Sequence, residues 1–292
     1  MRVGCDLPYF VDPDDIATFA RAAEELGYHH IGFSEHVASS HATDYSATFS
    51  FDDPWHESAT LLAFLSAVTS TIELNTAMYL VTLRHPVLVA KQMAEIDLLC
   101  RGRLRLGMSV GWNREEQVAL GVDPATRGRR LDETVPLLRR LWTEDAVSHD
   151  GEFFRVDGVG IHPRPDRTIP VWIGGGGLGT GGKPLDLSPR RAARLGDGFK
   201  FMAPTGSDDG PEGDAVAERL HAYAADLGRT IEVEARLVTQ MTLADQWASV
   251  IRRYRESGLI THVGLGNRIV GGPVESQIAL IRDLVDRTHE EW

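Results

Sequence analysis

Cysteine is scarce in this chain: Cys5 lies inside an apolar run and Cys100 at the end of a helical stretch, two residues in 292. That density excludes a disulfide scaffold and the spacing is not that of a zinc site, so a reducing cytoplasm is the expected setting. Positive charge is also in deficit. With 42 acids against 30 bases the formal charge is −12, and the mean surface field repels phosphate backbones and anionic membranes, so neither nucleic acid nor membrane partners are expected. No run approaches the roughly 18 consecutive apolar residues of a membrane-spanning helix. The start, Met1-Arg2-Val3-Gly4-Cys5-Asp6, has no apolar core long enough for a signal peptide. A HExxH motif, a Pro/Ser-rich linker, a charge block, a low-complexity segment and an evident repeat are all missing as well. One domain over 1–292 is the reading, since α/β barrels often use this length for a single unit.

What is present is alternation. Eight short apolar runs are separated by helical stretches, the period of a (β/α)₈ TIM barrel, whose active site forms past the strand C-termini. Strands are expected at Arg2–Asp6, His30–Ser34, Ile72–Met78, Leu104–Ser109, Val171–Gly174, Gly198–Phe201, Ile231–Gln240 and Thr261–Gly264. Asp12-Pro13 reads as an N-cap followed by proline at the first helical position, and Pro86 starts a second helix. Residues 143–168 read as an excursion with a hairpin near Asp150-Gly151, and Pro204–Asp214 as a loop. The seventh strand fits least well, because Glu232, Glu234 and Arg236 alternate with apolar residues where a parallel sheet should be aliphatic.

The residues able to do chemistry cluster just past the runs: Ser34-Glu35-His36, Ala77-Met78-Tyr79, Gly107 to Trp112, and Gly174 to Gly177. Histidine as a residue type exchanges protons near neutrality, so His36 at a strand end is a candidate acid or base, although a solitary histidine is more often structural. The glycine stretch contains Gly177-x-Gly179-x-x-Gly182 and Gly177-x-x-x-x-Gly182-Lys183. Neither motif holds, because Pro184 replaces the P-loop hydroxyl and no dinucleotide-type βαβ unit opens there. The surviving reading is general: glycine backbone N–H groups near a helix start can approach a phosphate, or the stretch is a flexible surface loop. Arg84-His85 and Arg127, Arg129 and Arg130 could meet anions, or simply pair with neighbours. A metal reading through Asp6, His36, His41 or His85 is weaker, since these residues lack ligand spacing. Met78, Tyr79, Met108, Phe201 and Met202 read as barrel filling, with a few able to wall a planar ring.

Together, "IGFSEHV" (31–37), "STIELNTAMYLVTLRHPVLVAKQMAEIDLLCRGRLRLGMSVGWNREEQVALGV" (70–122), "RGRRLDETVPLLRRLWTEDAVSHDGEFFRVDGVGIHPRP" (127–165), "IPVWIGGGG" (169–177) and "RRAARLGDGFKF" (190–201) resemble the luciferase-like monooxygenase superfamily, in its branch that uses the deazaflavin coenzyme F420. The resemblance implies a barrel with insertions, here near 37–54, 143–168 and 203–213, and a dimer. It implies a deazaflavin, or alternatively FMN, over the strand C-termini and hydride transfer to or from a small organic substrate. Carried over residue by residue, it makes His36 and Glu35 catalytic, with Glu35 touching the ring or His36. It makes Ala77-Met78 a non-prolyl cis bulge behind the ring, places Ser109, Val110 and Gly111 in a turn beside it, and gives Gly174, Gly175 and Gly176 the phosphate. Relatives acting on sugar phosphates carry an acid directly after the strand-four Gly-x-Gly; this chain has Trp112 after Gly111, which argues against such a substrate. The alternatives are an FMN-dependent monooxygenase, a non-catalytic cofactor-binding barrel and a metal-dependent hydrolase.

Overall fold

When helices alternate with strands, each helix returns the chain to the same end of the sheet, so successive strands pair in parallel. A computed structural model of the protein describes residues 1–43, 50–176, 186–202, 211–238, 246–266 and 272–292. In it β1 (Arg2–Asp6), β2 (His30–Phe33), β3 (Glu73–Thr76), β4 (Leu104–Met108), β7 (Val171–Gly176), β8 (Gly198–Met202), β9 (Glu232–Val238) and β10 (His262–Gly266) pair in that order and close on β1. Every barrel pairing is parallel, so the (β/α)₈ expectation is met. The expected hairpin is present as antiparallel β5 (Val147–Asp150) and β6 (Arg155–Val159).

Helices α1 (Pro13–Glu25), α2 (Ser58–Val68), α3 (Pro86–Leu99), α4 (Arg114–Ala119), α5 (Arg127–Thr143), α6 (Leu187–Leu195), α7 (Pro211–Asp226), α8 (Trp247–Ser257) and α9 (Val274–Thr288) accompany the strands. Their starts follow local chemistry. The Asp12 side chain accepts the Asp14 N–H ahead of Pro13, and Asn113 accepts the N–H groups of Glu115 and Glu116 at the head of α4. No described helix is long and apolar enough to cross a membrane.

The apolar core lies between barrel and helices. Val3, Ile31, Leu74, Leu106, Val171, Phe199, Val233 and Val263 leave the strands outward and are buried with Phe19, Leu62, Met93, Leu138, Ala192 and Ile281 of the helices. The barrel's inside is different. Glu234 of β9 reaches across to Arg105 of β4 (Oε2 to Nη1, 2.6 Å) and takes Lys200 of β8 on its other oxygen (2.6 Å). Arg105 also holds Glu73 and lies over the Trp172 ring, 4.2 Å from its centroid, while Lys200 donates to Asn75 Oδ1 at 3.2 Å. One layer up, Arg236 pairs with Asp6. Burial opposes the charge on Glu234, but Lys200 and Arg105 outweigh it and hold the carboxyl well below the usual range. The alternation that made the seventh barrel strand doubtful is therefore its inward face. The glycines alternating with these side chains make room: a Cβ on Gly198 would collide with the Trp172 ring.

Strand boundaries shift by up to two residues from expectation, and two differences have a plain local cause. The third strand stops at Thr76 rather than Met78, because the chain bulges there. The segment expected as a loop to Asp214 turns helical at Pro211, since proline suits a first helical position. Residues 204–210 of that segment, and 239–240 of the expected seventh strand, lie outside the described residues.

His30 and His262 sit in the same interior, ring centroids 5.9 Å apart. Burial, reinforced for His262 by Arg105, pushes both imidazoles down, His262 to about 2. Unfolded, each takes a proton below about pH 6.5. The unfolded state then binds more protons than the folded one, so stability is complete above that pH and falls as the solution is acidified. Each histidine contributes a slope of up to about 1.4 kcal/mol per pH unit. Denaturant titrations of His262→Gln between pH 7 and 5 are expected to show a slope shallower than wild type by about that amount; parallel slopes would contradict the assignment.

Candidate active site

The rim at the strand C-termini is organised by the segment that follows β3. Pairing of β3 with β4 runs to Asn75↔Arg105 and resumes at Tyr79↔Met108, so four steps on one strand oppose three on the other. The extra residue is a bulge, and the expected cis peptide is found at Ala77-Met78. The bulge is pinned on both sides: Ala77 N–H donates to Phe33 O (2.7 Å), Tyr79 N–H to Gly107 O (2.8 Å) and Ser109 N–H to Tyr79 O (3.0 Å). Ser34 Oγ donates to Ala77 O at 2.6 Å and itself receives Arg236 Nη1 at 3.3 Å, which seats the bulge on the Arg236–Asp6 pair below.

Met78 lies across the neighbouring strands. A Cβ at Gly174 would sit 2.6 Å from its Cγ, Sδ and Cε, and one at Gly107 would sit 3.1 Å from its Cε. Pairing of β4 with β7 ends at Met108↔Ile173, whereas β7 stays with β8 through Gly176↔Met202. The wall therefore opens beside Met78. Ser109, Val110 and Gly111 form the turn that follows β4: Gly111 has φ +73, and Val110 O accepts Thr82 Oγ1 (3.2 Å) and Gln117 Nε2 (3.4 Å). Gly174 is an inward position under Met78, and Gly175 faces out against Ser188 of α6. Residues 177–185, with both deceptive glycine motifs, lie outside the described residues.

His36 projects from the loop after β2. Its Nδ1 is 3.0 Å from Glu116 Oε2 in α4, and its ring meets Trp55 and Trp112 edge to face, with centroids 4.7 Å and 5.5 Å away. Tyr9 continues the aromatic wall, 4.4 Å from Trp55. Trp112 is half exposed at the rim.

Of the two contacts expected of Glu35, the one to His36 is not made. Its buried carboxylate accepts Leu80 N–H (2.7 Å), Ser58 N–H (2.9 Å) and both Arg84 guanidinium nitrogens (2.8 and 3.1 Å). With every lone pair directed at those donors it fastens β2 to the segment after the bulge and to the start of α2. Arg84 is consumed in the same cluster, bridging to Glu57 (2.7 Å) and lying over Tyr79 (4.3 Å), so it is not an anion receptor. Arg129 pairs with Glu152 and Arg130 lies over Phe153, at the hairpin. The four residues of the metal reading have separate tasks: Asp6 holds Arg236, His36 holds Glu116, His41 stacks on Phe51 (3.7 Å) and His85 caps α3.

Sequence reasoning singles out Trp112 but does not reach Glu116, Trp55 or the Asp6–Arg236 pair. Glu116 follows an Asn113 cap and occupies the first turn of α4, which announces a helix start but says nothing of a histidine 80 residues earlier.

The pattern of the luciferase-like monooxygenase family matches residues 1–258. The chain belongs to that family of oxidoreductases. It is 32% identical over 231 residues to the F420-dependent glucose-6-phosphate dehydrogenase of Kineococcus radiotolerans, covering 76% of this chain and 64% of the relative. Among solved structures it superposes on a monooxygenase from Streptomyces bottropensis (TM-score 0.78, 18% identity, 99% of each chain). It also superposes on an F420-dependent secondary alcohol dehydrogenase crystallised with an F420–acetone adduct (TM-score 0.73, 16% identity, 98% of each chain). At those identities the structures speak for the fold.

Proposed function

We propose that this luciferase-like protein is a coenzyme F420-dependent oxidoreductase that moves a hydride between the deazaflavin and a small organic substrate. The observation that carries the reading is the juxtaposition at the rim of an apolar floor and a proton-bearing side chain. Met78 is held over Gly107 and Gly174, beside the opening between β4 and β7, and His36 stands between two indoles on the neighbouring strand end. These residues fit a planar tricyclic ring: the glycines leave the space that Met78 fills, and the bulge offers backbone rather than bulk. When bound, the deazaflavin supplies the hydride chemistry. Ala77, Met78 and Val110 would hold one face of it, and Ser109 and Gly111 its edge. Glu35 and Arg84 fix the bulge, and His36 holds or moves the substrate proton. The names of relatives at 32% and 31% identity support the deazaflavin. Trp112, at the position where a sugar-phosphate enzyme would carry its acid, favours an uncharged substrate over a phosphorylated one.

Two other readings make different forecasts. An FMN-dependent monooxygenase would prefer flavin, and a non-catalytic barrel would bind cofactor without turnover. Titration of the purified protein with deazaflavin and with FMN, followed by absorption, is expected to show at least about tenfold tighter binding of the deazaflavin, a difference of about 1.4 kcal/mol. Reduction of the bound deazaflavin by a member of a small-alcohol panel would complete the case. Preference for FMN, with oxygen consumption by the reduced complex, would overturn it.

A further inference from the structure

We propose that Glu116, in α4, is the positioning residue that fixes the tautomer and orientation of His36. This deepens, and rests on, the reading of His36 as the proton-bearing group of the oxidoreductase.

The geometry is specific. Glu116 is buried with its side chain 1% exposed, although it is an acid on a short helix with four exposed neighbours, Arg114, Val118, Ala119 and Leu120. Its two oxygens have separate duties. Oε1 receives the N–H of Val37 at 2.5 Å and that of Ala38 at 3.3 Å, the two residues directly after His36. Oε2 faces His36 Nδ1 at 3.0 Å. One carboxylate thus holds both the backbone that carries the histidine and the ring itself. The N-terminal turn of α4 is in turn fixed by Asn113, which also receives Thr43 Oγ1 at 3.1 Å.

A carboxylate offers only acceptors, so the nitrogen facing it must carry the hydrogen. Nδ1–H toward Glu116 leaves the lone pair of a neutral imidazole on Nε2. A histidine that could choose either tautomer would spend part of its time with the wrong nitrogen protonated, and one free to rotate would lose alignment with the substrate. Glu116 removes both freedoms, the role an acid plays behind the histidine of a hydrolase triad. Trp55 and Trp112, edge to face on the ring, limit the remaining rotation.

Glu116→Gln separates the two duties. Its amide oxygen can keep accepting from Val37 and Ala38, while its NH₂ is presented to Nδ1, which must then accept and send the proton to Nε2. Protein labelled with ¹⁵N-histidine and recorded without cofactor at about pH 8.5, where histidines are as a rule neutral, reports the tautomer directly. His36→Gln assigns the signals by removing them. The expected result is Nδ1–H for His36 in wild type and Nε2–H in Glu116→Gln, with kcat of the loaded variant lower by about 10²- to 10⁴-fold and deazaflavin affinity unchanged. A wild-type His36 in the Nε2–H form overturns the proposal without reference to any variant. The same tautomer in both proteins, or loss of cofactor affinity in step with kcat, overturns it too. If wild type turns over no substrate with the deazaflavin, the proposed function fails, and the nitrogen spectra still decide the role of Glu116.

Discussion

Glu234→Ala is expected to cost about 3 to 5 kcal/mol of folding stability, the usual penalty for removing one partner of a buried ion pair. Glu234 is fully buried and answers two cations, Arg105 and Lys200, neither of which reaches solvent. Among the described residues, its removal leaves the Lys200 ammonium with the amide oxygen of Asn75 as its hydrogen-bond partner. The charge that remains has no water to return to, and burial already pulls the Lys200 amine below its ordinary range. The exposed pair Arg129–Glu152 is the control: both side chains are more than half in water, and breaking it should change stability by no more than about 1 kcal/mol. Urea midpoints of the two variants, at constant m-value, measure the contrast. A second substitution, Lys200→Met in the Glu234→Ala background, should recover part of the loss, because the unpaired charge rather than the missing contact causes it. A loss below about 1 kcal/mol for Glu234→Ala would mean that the barrel admits water at this level.

That interior also explains where the sequence misled. The eight-strand period is legible because every strand buries its outward face against helices, and that face is aliphatic in the ordinary way: Val3 and Cys5, Leu104 and Leu106, Val233 and Ala235. The inward face is not aliphatic. It alternates glycine with charged or aromatic residues, as in Gly4 and Asp6, Arg105 and Gly107, Trp172 and Gly174, Gly198 and Lys200. A rule that expects branched aliphatics inside a parallel barrel reads Glu232, Glu234 and Arg236 as a poor strand. Yet the buried charges of Glu234 and Arg236 need partners from strands far away in sequence, which closure of the barrel supplies, while Glu232 stays exposed at the start of the strand. Arg105 and Glu234 are 129 positions apart, Asp6 and Arg236 are 230.

The site divides along the same line. The positions of His36, Ala77, Met78 and Gly111 were legible because each lies just past a strand end, and topology brings consecutive strand ends to one rim. What each side chain touches was not. Glu35 and His36 are neighbours in sequence, and adjacency suggested a joint task. On an extended segment adjacent side chains point to opposite sides. Glu35 accordingly turns outward to Arg84, and His36 turns to Glu116. The acid that meets the histidine lies 80 residues away in sequence.

His36→Ala is the substitution with the largest expected effect on activity: kcat lower by about 10²- to 10⁴-fold, the range spanned by removal of a positioned acid or base. Deazaflavin affinity should be nearly unchanged, because the floor under the ring is built by Met78, Gly107 and Gly174 on other strands, pinned by Ser34 and Glu35 rather than by the imidazole. Stability should change little, since the imidazole lies at a partly open rim and Glu116 keeps its bonds to Val37 and Ala38. The informative measurement is the double variant. If Glu116 acts on the reaction only through His36, Glu116→Gln in the His36→Ala background should lower kcat no further, and the two losses will be far from additive. Full additivity would assign Glu116 a separate part in turnover. Unchanged kcat in His36→Ala, measured with a substrate that the wild-type protein turns over, would remove the histidine from the chemistry altogether and leave the rim as a binding surface whose proton partner must come from the substrate or from water.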